Sequence, residues 1–272
     1  MDKTRVAVIG LGSVAQLVHL PNLLKIKNTE VTAVAEINRN RLFSIGDKYE
    51  IKNRYTNYKD LLNNNNVDAV IIATPTHLHK QMAIDSLNAG KNVLVEKPLA
   101  LTSTEGQEVI ECAKKNNRKL MVGMNLRYRP DSMLIRSLID AGEIGEPFYI
   151  KCGWIRKQSS SEKWFSKREE AGGGVILDLG INLVDLALWL ANYPRAVSIS
   201  TKNYYHHSRN LEDTSISLLR CENSVLINIE SSWTLAEHKD TFYANIYGTK
   251  GSVSANPFKL IKLLEEEQID HG

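Results

Sequence analysis

The sequence predicts an α/β fold in two parts: a parallel sheet with helices on both faces, then an α+β unit on a largely antiparallel open sheet. Three observations predict it. An apolar strand opens the chain and runs into the turn Gly10-Leu11-Gly12-Ser13-Val14-Ala15. Strand and helix patterns then alternate to residue 124, as βαβ units do. After Asn125 the texture changes to one long helix and a run of strands, the mark of an α+β unit. The expected division is 1–124 and 125–272, with no linker or internal repeat between.

The elements run in order along the chain. Arg5 to Ile9 is the first strand, and Gln16 to Ile26 reads as its helix. Glu30 to Ala35 is a second strand closed by Glu36, and Arg39 to Tyr49 is helical. A short extended segment at Asn53 to Tyr55, a polar helix and the loop Asn63 to Asn66 come next. Strand Ala69 to Ala73 ends in Thr74-Pro75-Thr76-His77, and helix 78–89 stops at Gly90. Strand 92–96 runs into Glu96-Lys97-Pro98, followed by helix 103–116 and strand 119–123. In the second part, helix 131–140 leads through glycine-rich turns to a helix over 175–191. Strand-like runs then cover 196–203, 213–221, 224–234 and 241–248.

The opening turn is a dinucleotide-binding fingerprint. Gly10 permits the tight turn, Gly12 lets the backbone approach a pyrophosphate, and Ala15 allows close packing of helix on strand. Ser13 and Val14 lie in the turn before the helix, whose N-terminal unpaired N–H groups and dipole favour phosphate. An acid about twenty residues on completes the pattern of a Rossmann domain. That acid is Glu36, whose carboxylate accepts from ribose hydroxyls and repels a 2′-phosphate, so NAD is read over NADP. Arg39 and Arg41 stand close by and are able to receive such a phosphate. Lys97 ends a strand of this sheet, and open α/β sheets place their ligand crevice outside the strand carboxyl ends. Pro98 holds Lys97 in an extended conformation. Thr74-Pro75 ends the neighbouring strand and lines the same crevice, and His79 starts the following helix.

Composition excludes several classes. With 43% hydrophobic and 24% charged residues the chain is globular, and a net charge of +3 gives no argument for nucleic acid. The basic knot of Lys114, Lys115, Arg118 and Lys119 suits a helix end. Cys112, Cys152 and Cys221 are widely spaced and odd in number, which suits reduced thiols in a cytoplasm. The first strand starts by Thr4, which is read as leaving no room for a signal peptide. Asp178 and Asp185 interrupt the best apolar run, so no membrane span is expected.

Four motifs occur together and in order: Gly10-Leu11-Gly12, Ala73-Thr74-Pro75, Glu96-Lys97-Pro98, and Gly172-Gly173-Gly174-Val175-Ile176-Leu177-Asp178-Leu179-Gly180. On these the chain resembles the Gfo/Idh/MocA oxidoreductases, the group of glucose–fructose oxidoreductase and inositol dehydrogenase, over essentially its whole length. The resemblance implies a nicotinamide cofactor and a sugar, inositol or other polyol as substrate. It implies a second domain whose open sheet serves homo-oligomers, a dimer or tetramer. It places Lys97 beside nicotinamide and substrate hydroxyl, and implies a cis peptide before Pro98. Thr74, Pro75, His79, Glu96 and Asn125 fall on its cofactor-binding positions. Asn125 to Pro130 resembles its domain junction, where Arg127 meets a substrate or serves a structural ion pair. The family continues with a further long helix after the point where this chain has Leu263, Leu264 and an acidic tail.

Oxidising a secondary alcohol needs a hydride acceptor and a group that stabilises the developing alkoxide, a role an ammonium at Lys97 can fill. It also needs a proton acceptor. Asp178 and Asn182 stand one turn apart on helix 175–191 and share a face. Family members commonly carry aspartate and histidine there, and an asparagine amide takes no proton at neutral pH. Lys97 in its neutral form, Asp178, and the pair His206-His207 are the candidate replacements. Trp154 and Arg156 precede the glycine loop and are read as a substrate wall, with Trp154 and Trp233 open to a core role as well. The expected activity is that of an NAD-dependent dehydrogenase. A glycosidase or epimerase using transiently reduced NAD, and a catalytically weakened nucleotide-binding regulator, are the alternatives.

Overall fold

In the computed structural model the described residues are 3–156, 167–207 and 210–263. The chain forms two compact units, Met1–Gly123 with Glu169–Gly172, and Met124–Arg168 with Gly173–Gly272.

The first unit holds strands β1 (Thr4–Ile9), β2 (Thr29–Ala35), β3 (Asn53–Tyr55), β4 (Ala69–Ile72), β5 (Asn92–Val95) and β6 (Leu120–Val122). They form one parallel sheet in the order β3-β2-β1-β4-β5-β6, so the order reverses between β1 and β4. Helices α1 (Leu20–Leu23), α2 (Arg39–Lys48), α3 (Tyr58–Leu62), α4 (His79–Asn88) and α5 (Ser103–Lys115) are the crossovers. Side chains alternate across a strand. Ala7 and Ile9 of β1 therefore join Val70, Leu87 and Val109 in one apolar cluster. Val6 and Val8 join Leu20, Leu42 and Ile45 in another. Polar caps set the helix starts: Asn38 accepts from the Arg41 N–H and Thr102 from the Glu105 N–H.

The second unit holds α6 (Pro130–Asp140), β7 (Pro147–Ile155), only the first residue of α7 (Arg168–Ala171), then α8 (Ile181–Leu190), and strands β8 (Ala196–Tyr204) to β13 (Lys259–Lys262). Between the last two come β9 (Thr214–Cys221), β10 (Leu226–Ser232), β11 (Thr241–Gly248) and β12 (Gly251–Ala255). The sheet order is β13-β12-β11-β7-β10-β9-β8. Every pairing is antiparallel except β7 with β10. One face carries Ile150, Cys152, Leu219, Ile227, Ile229 and Ile246, packed with Leu183, Leu186 and Leu190 of α8. On the other face Ile216 and Leu218 are exposed, while Ile199 of the edge strand β8, paired with Leu219, is exposed on the core side.

The central strand β7 is absent from the pattern-based reading, and so are β12 and β13. Gly142 and Gly145 lead into Pro147, and Gly153 interrupts the strand, so the segment reads as turns. Its register is set by two neighbours distant in sequence. Both helices near the recognised motifs are also less regular than expected. Ala15–His19 and Ile176–Gly180 are π-turns, each passing into an α-helix. The sequence pattern predicts no membrane span, yet residues 168–190 have the length and hydropathy of one, and more than half of the apolar stretch is buried inside. Asp178 and Asp185 are too few to lower its hydropathy, and its apolar side chains supply the core. The acidic tail from residue 264 lies outside the described residues.

Leu183 is fully buried at the centre of the second core. Leu183→Ala is expected to lower unfolding free energy by about 3 kcal/mol, through lost transfer energy and the cavity left behind, as read from urea denaturation.

Candidate active site

At the end of β1, Gly10 adopts φ +86°, and a Cβ there would stand 2.6 Å from the Ala73 carbonyl oxygen. Conformation and space both demand glycine. Gly12 is the opposite case, because a Cβ there would meet nothing within 4 Å. That open backbone is the cradle a pyrophosphate needs. Ser13 and Val14 are exposed beside it, while Ala15 is fully buried. The Gln16 amide donates to the Leu11 carbonyl at 2.7 Å and braces the turn.

Glu36 ends β2 almost fully buried. Its carboxylate accepts from the Leu11 N–H at 3.0 Å and the Asn38 N–H at 2.9 Å. The Arg41 guanidinium stands 3.5 Å from the same carboxylate. The acid is therefore tied directly to the glycine turn. The turn, the open space at Gly12 and the fixed carboxylate at Glu36 fit a dinucleotide with a free ribose 2′-hydroxyl.

β4 and β5 are paired with Ile72 opposite Val95, so their carboxyl ends lie side by side. Thr74-Pro75 leaves one end and Glu96-Lys97-Pro98 the other. Glu96 accepts from His19 at 2.8 Å and, through its second oxygen, from the Lys97 N–H at 3.3 Å. Lys97 is half-buried, Pro98 is buried, and the peptide between them is cis. His79, read from sequence as a cofactor contact, instead sits 1% exposed, with Nδ1 2.7 Å from the Pro98 carbonyl oxygen and Nε2 2.9 Å from that of Thr74. Both ring nitrogens are already occupied by backbone, so the ring braces the crevice from behind. Burial pushes its pKa below the ordinary histidine value. His77 lies in the 3-10 turn Thr76–Leu78, 3.4 Å from the Glu170 carbonyl oxygen.

In the second unit the glycine loop leads into the π-turn Ile176–Gly180. A Cβ on Gly174 would lie 2.1 Å from the Glu212 carbonyl oxygen, so glycine alone permits that approach. Buried Glu212 caps the segment. Its carboxylate accepts from the N–H groups of Gly174 at 2.9 Å and Ile176 at 3.2 Å, and its backbone carbonyl accepts from Val175 at 2.8 Å. Asp178 is buried, and Trp233 Nε1 donates to its carboxylate at 3.1 Å. The Asn182 amide, also buried, donates to the Asp178 backbone carbonyl at 2.8 Å. One of its donors thus serves its own helix at the π-turn.

The remaining residues separate. Arg127 takes the ion-pair role: its guanidinium forks onto Asp185, with one bond of 2.7 Å, and lies over the Tyr193 ring. Trp154 packs against the second core, edge-on to Phe242 at 5.9 Å, with Arg156 over its ring. That is the core role left open for it, rather than a free wall. Asn125 is exposed at the start of a 3-10 turn in the second unit. His206 and His207 are exposed, His206 stacking on Tyr204. Sequence reasoning missed His19, Glu212 and the polar role of Trp233. His19 stands one helical turn after Ala15, and that spacing was the signal available. Glu212 and Trp233 gave none, since their partners lie far away in sequence.

Residues 4–124 match the model of an oxidoreductase family with an NAD-binding Rossmann fold, and residues 133–254 match a GFO/IDH/MocA C-terminal domain. An oxidoreductase of Rhizobium meliloti is 30% identical over 261 residues, covering 95% of this chain and 76% of its own. Inositol 2-dehydrogenase of Salmonella paratyphi B is 29% identical over 259 residues, covering 91% and 72%. The crystal structure of myo-inositol 2-dehydrogenase from Lactobacillus plantarum superposes with a TM-score of 0.85 at 27% identity, over 93% of this chain and 76% of that one.

Glu212→Ala removes the acceptor of two amide N–H groups in a buried cap. It is expected to destabilise the fold by about 2 kcal/mol in urea denaturation, while Glu212→Gln, which keeps one acceptor oxygen, retains part of the loss.

Proposed function

Because this chain belongs to the Gfo/Idh/MocA family of NAD-binding oxidoreductases, we propose that it oxidises a secondary hydroxyl of an inositol, another polyol or a sugar derivative. The observation that carries this reading is the position of Lys97. It ends β5, beside Thr74-Pro75 at the end of β4, on the sheet whose strand order reverses at β1 and β4. Doubly wound sheets bind their ligands at that switch point. The family match supports dehydrogenase function over the transient-redox and regulatory alternatives.

Gly10, Gly12, Ser13 and Val14 would hold the pyrophosphate, and Glu36 the adenosine ribose. Thr74, Pro75, Glu96 and Lys97 would hold the nicotinamide end, with Arg41 at the ribose and Asn125 completing the set. The bound cofactor supplies the hydride-accepting ring. The ammonium of Lys97 then orients the reacting hydroxyl and stabilises alkoxide charge as it forms. Asp178 is the proposed proton acceptor, since a carboxylate accepts and an amide does not. The Trp233 indole holds that carboxylate by one oxygen. Asn182 is assigned to orienting a substrate hydroxyl, with Asp178 beside it on the same helix. Arg127 and Trp154, engaged by Asp185 and by the core, are given no part in holding the substrate. NAD is preferred over NADP through Glu36.

A cytoplasmic homo-oligomer completes the proposal. Free thiols at Cys112, Cys152 and Cys221 support the compartment, and the exposed Ile199, Ile216 and Leu218 of the second sheet support self-association.

Two measurements test the reading. NADH is expected to bind more tightly than NADPH by fluorescence. Glu36→Ala should weaken NADH by about tenfold or more, the worth of a charge-assisted hydrogen bond, and close the gap. Unchanged discrimination would remove Glu36 from the choice. For the chemistry, NAD⁺ reduction is followed across inositols, other polyols and sugars. Lys97→Met is expected to cut turnover by about 10²-fold or more while NADH still binds. Turnover at the original level would take Lys97 out of the mechanism.

A further inference from the structure

Two carbonyl oxygens converge on one buried ring. They belong to Thr74 and Pro98, one from each of the two segments that leave the ends of β4 and β5. A carbonyl oxygen only accepts, and a neutral imidazole carries a single N–H. Burial favours that neutral ring and outweighs the pull of the two carbonyls and Glu96 toward a charged one, and the position of His79 at the positive end of α4 acts in the same sense as burial. The titratable groups that bear on it are Glu96 from the β5 end and His77 from the preceding turn. The one proton therefore bonds one wall, and the body of the ring fixes how far the other wall stands from it.

We propose that His79 is a positioning residue: it sets the spacing between the Thr74-Pro75 and Lys97-Pro98 walls and so shapes the nicotinamide half of the crevice without touching the cofactor. The inference rests on the assignment of those segments to the nicotinamide. The geometry also limits its reach. The pyrophosphate and ribose anchors at Gly10, Gly12 and Glu36 have no hydrogen bond to His79; Glu36 is held by Leu11, Asn38 and Arg41. A loss at His79 is thus felt at one end of the dinucleotide only.

Comparing NADH with ADP-ribose, which lacks the nicotinamide, tests this on the full chain. His79→Phe keeps a ring and removes both nitrogens; it is expected to weaken NADH by about tenfold and leave ADP-ribose within about twofold. His79→Gln, whose amide again donates to a carbonyl, is expected to recover most of the NADH affinity. Equal loss for both ligands would mean a general structural role, and no loss for either would mean no role; both overturn the proposal. Should the variants fail to fold, the ring ¹⁵N resonances of His79 in the unaltered protein decide. They are expected to move with NADH and stay with ADP-ribose, and a ring indifferent to NADH overturns it. Wild-type protein that binds ADP-ribose but not NADH would instead sink the nicotinamide assignment itself.

Discussion

The missing side chain at Gly10 is the constraint on which the first unit depends. β1 and β4 are neighbours, and the chain must turn sharply off one while the backbone of the other passes close by. With φ at +86° and Ala73 packed where a Cβ would be, only glycine closes that corner. Everything in the crevice is referred to it. The turn's next N–H, at Leu11, is held by Glu36, and the space over Gly12 is open. A larger residue would force apart the very strands whose ends carry Thr74 and, one strand further, Lys97.

The second unit solves a similar problem by similar means. Gly174 lets the backbone come against Glu212, whose carboxylate then caps the segment that carries Asp178. A buried acid at a helix start is favoured by the dipole and by unpaired N–H groups. In both units a glycine permits a close approach and a carboxylate anchors the backbone beside it.

Much of this was legible in the sequence. The alternation of apolar strands and capped helices gave the first sheet, and the glycine turn with Glu36 gave its ligand class, because those signals are local. β7 was not legible: its strand character comes from pairing with β10 and β11, and its flanking glycines read as turns. At the site, Lys97 and Glu36 follow the ends of β5 and β2 as the strand pattern predicts, while Asp178 falls in the π-turn Ile176–Gly180 instead of a regular helix turn. Arg127 and His79 show the limit. Their residue types suit a ligand, but Asp185 in one case and two backbone carbonyls in the other take up their polar atoms. Partners so distant in sequence, or on the main chain, leave no trace in a local pattern.

The π-turn at Ile176–Gly180 works as a phase shift. A regular helix rotates about 100° per residue, so one extra residue in a turn re-indexes every side chain on one side of it relative to the other. Leu183, Leu186 and Leu190 keep their phase toward the core, while Asp178 keeps a different one, toward Trp233. A chain one residue shorter at this point would form a smoother helix and still bury the same leucines. Its carboxylate would point about a third of a turn away. The irregularity lets one helix obey two alignments, and it makes the length of this segment as consequential as the identity of the residues in it.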